Sequence, residues 1–198
     1  MTEEINLDCV KNDKLASLFN SPTFFDITFL TPDSNDTDTD TATANNSNKS
    51  YTRFNVLKAL IAQWSPVFKT MLYGEFAEST AEDIPLNDVS STSMEIFLKI
   101  VHKGQVQLSS YATKDIVDLF AFADKYQIPE IKECALKELE RVISESDIDE
   151  NGCCELLERC DRYVGLDDID RLRTVLGEKM ILNFEGVCNG ERFTKLSF

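Results

Sequence analysis

The chain has 198 residues, 42% of them apolar with 13 Phe, enough to build a hydrophobic core. A net charge of −15, with no run of Lys or Arg, disfavours direct binding to nucleic acid and docking on anionic membranes. Met1 to Leu7 lacks the basic start and apolar run of a secretory signal, and no apolar stretch reaches the roughly 18 residues of a membrane span.

In chain order, Lys14 to Phe19 reads as a short amphipathic helix with Leu15, Leu18 and Phe19 at i, i+3 and i+4, ended by Pro22. Phe24 to Leu30 is rich in aromatic and β-branched residues, which predicts a strand. Thr31 to Ser50 is almost all Thr, Asp, Asn, Ser and Ala, a composition that cannot offset its ordering entropy. It reads as a disordered acidic insertion between two paired strands, either a solvated expansion or a phosphorylatable, partner-binding loop. The second strand spans Tyr51 to Val56.

An apolar helical pattern covers Leu57 to Trp64. Ser65-Pro66 then supplies an N-cap followed by proline at the first helical position, so a helix runs from about Pro66 to Leu72 and breaks near Gly74. Asp83 to Leu86 reads as a short strand. Ser93 to His102 reads as a helix with Ile96, Phe97, Ile100 and Val101 on one side, stopped by Gly104. Gln105 to Leu108 alternates as a short strand would. The clearest helix is Thr113 to Tyr126, with Ile116, Phe120 and Ala123 on its stripe, followed by Pro129 to Ile143 with Ile131, Ala135, Leu136 and Leu139 inward. Beyond the polar stretch Ser144 to Asn151, helices are expected over Gly152 to Tyr163 and Asp167 to Asn183.

The inventory for chemistry is thin. His102 is the one histidine, it sits near a helix C-terminus, and no sequence feature marks a catalytic partner for it. The six cysteines (Cys9, Cys134, Cys153, Cys154, Cys160 and Cys188) are irregularly spaced and none forms a CxxC pair. They fit a reduced cytoplasmic or nuclear protein better than a disulfide framework or a zinc site. No Gly-rich phosphate loop occurs among seven glycines. No enzymatic activity, metal or cofactor is expected.

The order of segments is more specific. Phe25-Asp26-Ile27-Thr28-Phe29 is followed by Arg53 to Phe68, which ends in Ser65-Pro66-Val67-Phe68. Then come Met71-Leu72, Gly74-Glu75-Phe76-Ala77-Glu78-Ser79, Ile84 to Val89, and Ala121-Phe122-Ala123-Asp124-Lys125-Tyr126-Gln127-Ile128. Together these resemble the BTB/POZ domain over about Lys14 to Ile143, with residues 144–198 resembling the start of the helical BACK extension that often follows it. The family usually has His-Lys or His-Arg where this chain has Leu57-Lys58, and Tyr where His102 stands. The resemblance implies an α+β, mostly helical fold, a small sheet capped by helical hairpins, and a protein–protein interaction module.

It also implies self-association, for which Leu15, Leu18, Phe19, Asp26, Lys58, Ala59 and Leu60 are the candidates, with Asp26 and Lys58 as a charged pair beside a hydrophobic seam. Many such proteins are adaptors that bind a cullin scaffold of a ubiquitin ligase through a hydrophobic residue, any residue, then Glu. Phe76-Ala77-Glu78 matches that motif, and Met71, Leu72 and Tyr126, with the helices between Asp147 and Asn183, are expected on the same side. A homodimeric or heterodimeric cullin adaptor with an unknown substrate protein is the first expectation. A non-ligase scaffold for transcriptional or cytoskeletal complexes is the second, and an ion-channel-type tetramerisation domain is disfavoured by the dimer-type first helix. No separate substrate-recognition domain is expected before Lys14 or after Phe198.

Overall fold

A computed structural model of the chain describes residues 13–33, 50–145, 150–161 and 167–182. Strand β1 (Ile27–Pro32) lies at the centre of a three-stranded sheet of order β2-β1-β3. It pairs antiparallel with β2 (Tyr51–Val56), from Ile27 opposite Val56 to Pro32 opposite Tyr51. On its other side it pairs parallel with β3 (Asp83–Pro85). Ile27, Thr28, Phe29 and Thr31 of β1 are all buried, as a central strand covered on both faces requires, whereas β2 buries only Phe54 and Val56. The prolines stand at the end of β1 and on the edge strand β3, where a missing N–H costs no ladder bond.

The strand starts later and ends later than composition suggests. Phe24 and Phe25 lie outside it, in a loop where Ser21 Oγ accepts from the N–H groups of Thr23 and Phe24. Thr31 and Pro32, assigned by composition to the insertion, instead pair with Thr52 and Tyr51. Asp33 continues the contact by donating its N–H to the Ser50 carbonyl at 3.0 Å. Hydrogen bonds from Ser50 and Thr52 hold the Asp33 carboxyl below its ordinary range. Residues 34–49, the rest of the expected insertion, lie outside the described residues.

Helix α1 (Asp13–Ala16) is shorter than expected, and three-residue-spaced bonds such as Leu18 N–H to Leu15 C=O carry the chain on through a turn. Helices α2 (Lys58–Trp64) and α3 (Pro66–Tyr73) meet at Ser65. Its hydroxyl oxygen accepts from the Phe68 N–H at 3.0 Å and donates its own proton to the Tyr126 carbonyl at 2.5 Å, so one side chain caps α3 and ties it to a helix 61 positions away. Helix α4 (Ser91–Lys103) begins ahead of the expected Ser93 because Ser90 caps it through the Ser93 N–H; it ends at Gly104, whose φ of 72° is left-handed. The expected strand at Gln105 to Leu108 is replaced by a 3-10 turn over Leu108–Ser110.

Helices α5 (Thr113–Lys125) and α6 (Pro129–Glu145) pack against each other, and α5 also packs on α4. Phe68, the aromatic of the Ser-Pro-x-Phe segment, is fully buried among α4, α5 and the sheet, stacked on Tyr126 at 4.2 Å, on Phe29 at 5.3 Å and on Phe97 at 6.0 Å. Such offset pairs add to the burial of the rings themselves. Helices α7 (Glu150–Asp161) and α8 (Asp167–Leu182) pack on each other, α7 on α5 and α8 on α6. Buried Leu156, Cys160, Leu172 and Leu176 continue the core, and Arg159 of α7 grips buried Asp118 of α5 through two nitrogens, Nε reaching Oδ1 at 2.7 Å.

Candidate partner-docking surfaces

Helix α3 runs out at a corner built by two local constraints. Gly74 donates its N–H to the Thr70 carbonyl at 2.9 Å, and a Cβ on Gly74 would lie 2.3 Å from that same oxygen, so only glycine takes the chain through here unstrained. Phe76 follows in an extended conformation and opens a 3-10 turn over Ala77–Ser79. The Ser79 N–H and hydroxyl both donate to the Phe76 carbonyl, at 3.1 and 2.7 Å. Phe76 is 56% exposed here, Tyr73 at the end of α3 is 58% exposed, and Glu78 two residues after Phe76 is half-buried. Two aromatic rings held in water by an ordered backbone represent apolar area whose burial against a partner is worth about 2 kcal/mol per ring.

Leu72 and Tyr126, expected on the same surface, are not brought to it. Leu72 is 2% and Tyr126 3% exposed, because the inward stripe of α3 and the aromatic stack on Phe68 absorb them. Burial drives the Tyr126 phenol above its ordinary pKa, with the nearby Asp88 carboxylate adding to the shift. Met71 is half-buried and packs against the core. Tyr73, which the motif passes over, is exposed instead; its place as the last residue of α3, next in sequence to buried Leu72, was the available signal.

The residues expected to mediate self-association differ in exposure. Asp26 and Ala59 are exposed, while Leu15, Leu18, Phe19, Lys58 and Leu60 are half-buried. Phe24 and Phe25, 64% and 42% exposed, immediately precede Asp26 and add apolar area near the start of β1. Phe19 sits edge-on to the His102 ring at 5.9 Å, under the Lys103 ammonium at 5.4 Å. The expected Asp26–Lys58 ion pair is not formed. Asp26 accepts the backbone N–H of Lys58 at 3.1 Å, which satisfies an orphan donor at the start of α2, and the Lys58 ammonium turns away to the Ser79 carbonyl at 2.8 Å.

His102 is 1% exposed. Its Nδ1 lies 2.8 Å from the Leu98 carbonyl, an acceptor, so Nδ1 carries the proton, while Nε2 is buried without a hydrogen-bond partner. Burial pulls its pKa below 6.5, opposed by the Leu98 hydrogen bond. Burial likewise pushes the Cys160 thiol up to about 11. Among the described residues no group of three or more His, Cys, Asp or Glu side chains gathers as metal ligands, and no helix is long and apolar enough to cross a membrane.

The family model of the BTB/POZ domain matches residues 15–142. Human Kelch-like protein 41 is 22% identical over 140 residues, which are 71% of this chain and 21% of that protein. Kelch repeat and BTB domain-containing protein 8 of Xenopus tropicalis is 27% identical over 118 residues, 56% of this chain and 19% of that protein. BTB/POZ domain-containing protein At4g08455 of Arabidopsis thaliana is 31% identical over 75 residues, 38% of this chain and 30% of that protein. The chain therefore spans less than a third of the length of these curated relatives. The match over most of its residues, on an α+β fold carrying each segment of the motif series, places it plainly: the chain belongs to the BTB/POZ family of protein-interaction domains.

Proposed function

We propose that the chain is a dimeric adaptor that docks a cullin scaffold of a ubiquitin ligase at the Tyr73–Ser79 corner, with α7 and α8 forming the first part of a BACK-like helical extension. The observation that carries this reading is the exposure of Phe76 on an ordered backbone: a large ring that its own core leaves uncovered, in a hydrophobic-x-Glu segment. Phe76 inserts into an apolar pocket of the scaffold, Glu78 meets a basic or polar group at the pocket rim, and Tyr73 extends the contact. Self-association uses the other surface, where Phe24 and Phe25 join Leu15, Leu18, Ala59 and Leu60 in an apolar seam beside Asp26. The two surfaces do not share a residue, so a dimer can present two corners at once.

A calorimetric titration with a cullin N-terminal domain tests the first contact. Phe76→Ala is expected to weaken binding by about 2–4 kcal/mol, the range of an aromatic anchor in a pocket, and Glu78→Lys by less. Wild-type chain that releases no heat, or equal affinity for Phe76→Ala, contradicts the proposal.

A further inference from the structure

We infer that Lys58 is a positioning residue of the Phe76 corner, linking the start of α2 to the turn that presents the docking ring. This deepens the reading above and rests on it for the identity of the partner. The 3-10 turn over Ala77–Ser79 is three residues long, has no side-chain cap at its start, and buries none of its residues. An element of that length has no stability of its own, because its few hydrogen bonds do not offset the ordering of its backbone. Its upstream end is fixed by the close passage of Gly74 against Thr70. Its downstream end is fixed by Lys58, whose Nζ donates to the Ser79 carbonyl at 2.8 Å across 21 positions of sequence.

Two features make that contact a clamp. Ser79 is the residue whose N–H and hydroxyl both close on the Phe76 carbonyl, so restraining Ser79 restrains the backbone that aims the Phe76 ring. The Lys58 backbone is itself anchored, since its N–H is taken by Asp26 at 3.1 Å. The ammonium meets the carbonyl end of the turn, where the partial charge is negative, and a charge-assisted bond is stronger there than a neutral one. Asp26, Lys58 and Ser79 thus form a chain of contacts running from the apolar face beside β1 to the docking corner.

Lys58→Met keeps the apolar stem and removes the donor, whereas Lys58→Arg keeps a donor of similar reach. Amide hydrogen exchange on the full chain reads the turn without any partner, through the N–H groups of Ser79, Thr80 and Ala81, which bond to the carbonyls of Phe76, Ala77 and Glu78. In Lys58→Met these three amides exchange about tenfold faster, Lys58→Arg restores most of the protection, and Lys114→Met, at an exposed lysine of α5, leaves them unchanged. Affinity for the cullin domain falls about tenfold in Lys58→Met with recovery in Lys58→Arg. Unchanged exchange at the turn in Lys58→Met, or the same acceleration in Lys114→Met, overturns the inference. A monomer with a fully protected turn also overturns it and returns Lys58 to the dimer seam. Wild-type chain that binds no cullin domain removes the proposed partner, while the exchange comparison still decides the role of Lys58.

Discussion

His102 shows how a polar side chain in a core couples stability to pH. Neutral imidazole fits its site, with Nδ1–H on the Leu98 carbonyl; protonation would place a second N–H at Nε2, where no acceptor waits. The folded-state pKa lies below 6.5, so the unfolded chain takes up the proton first as pH falls. The stabilisation is complete above 6.5 and is lost as pH drops through and below that value. Urea midpoints measured between about pH 7 and pH 5.5 should therefore fall, and in His102→Phe they should fall less; parallel pH curves for the two proteins would refute this account. Gly74 offers a steric counterpart. Gly74→Ala forces a methyl carbon against the Thr70 carbonyl and is expected to cost about 1–3 kcal/mol in thermal or chemical denaturation. A stability equal to wild type would mean the corner relaxes freely.

At the scale of elements, the joint between the family domain and the helices that follow it depends on charge as well as on apolar packing. Arg159 of α7 meets Asp118 of α5 with both side chains largely withdrawn from water. Replacing Arg159 with Leu removes the charge facing a buried carboxylate, and a loss on the order of 3 kcal/mol is expected. A double-mutant cycle with Asp118→Asn should return a coupling of about 1 kcal/mol or more; additive effects would show that the pair is not what joins α7 to α5. What could be read from sequence follows the range of the forces involved. Ser65-Pro66 marks the start of α3 because capping is local, and the stripe of α5 is legible because helical periodicity is local. The end of β1 is not, since Thr31 and Pro32 are strand only by virtue of Thr52 and Tyr51 opposite them. The same limit governs the candidate site. A motif marks Phe76 and Tyr126 alike, but only the stack on Phe68 shows that Tyr126 is core, and only the approach of α2 to the corner shows where Lys58 points.

At the scale of the molecule, a net charge of −15 is spread over a chain whose two candidate surfaces are centred on aromatic rings. Apolar anchors supply affinity, and the acidic remainder favours a basic partner surface and slows encounters with acidic ones. The relatives it matches are several times longer than the matched region. The central claim is a dimer that carries two scaffold-binding corners. Sedimentation velocity of the chain mixed with an equal amount of cullin N-terminal domain tests it most directly. A single species containing two copies of each protein is predicted, reduced to free dimer and free cullin domain when Phe76 is changed to Asp. A monomeric chain, or a mixture in which the two proteins sediment separately, would contradict it.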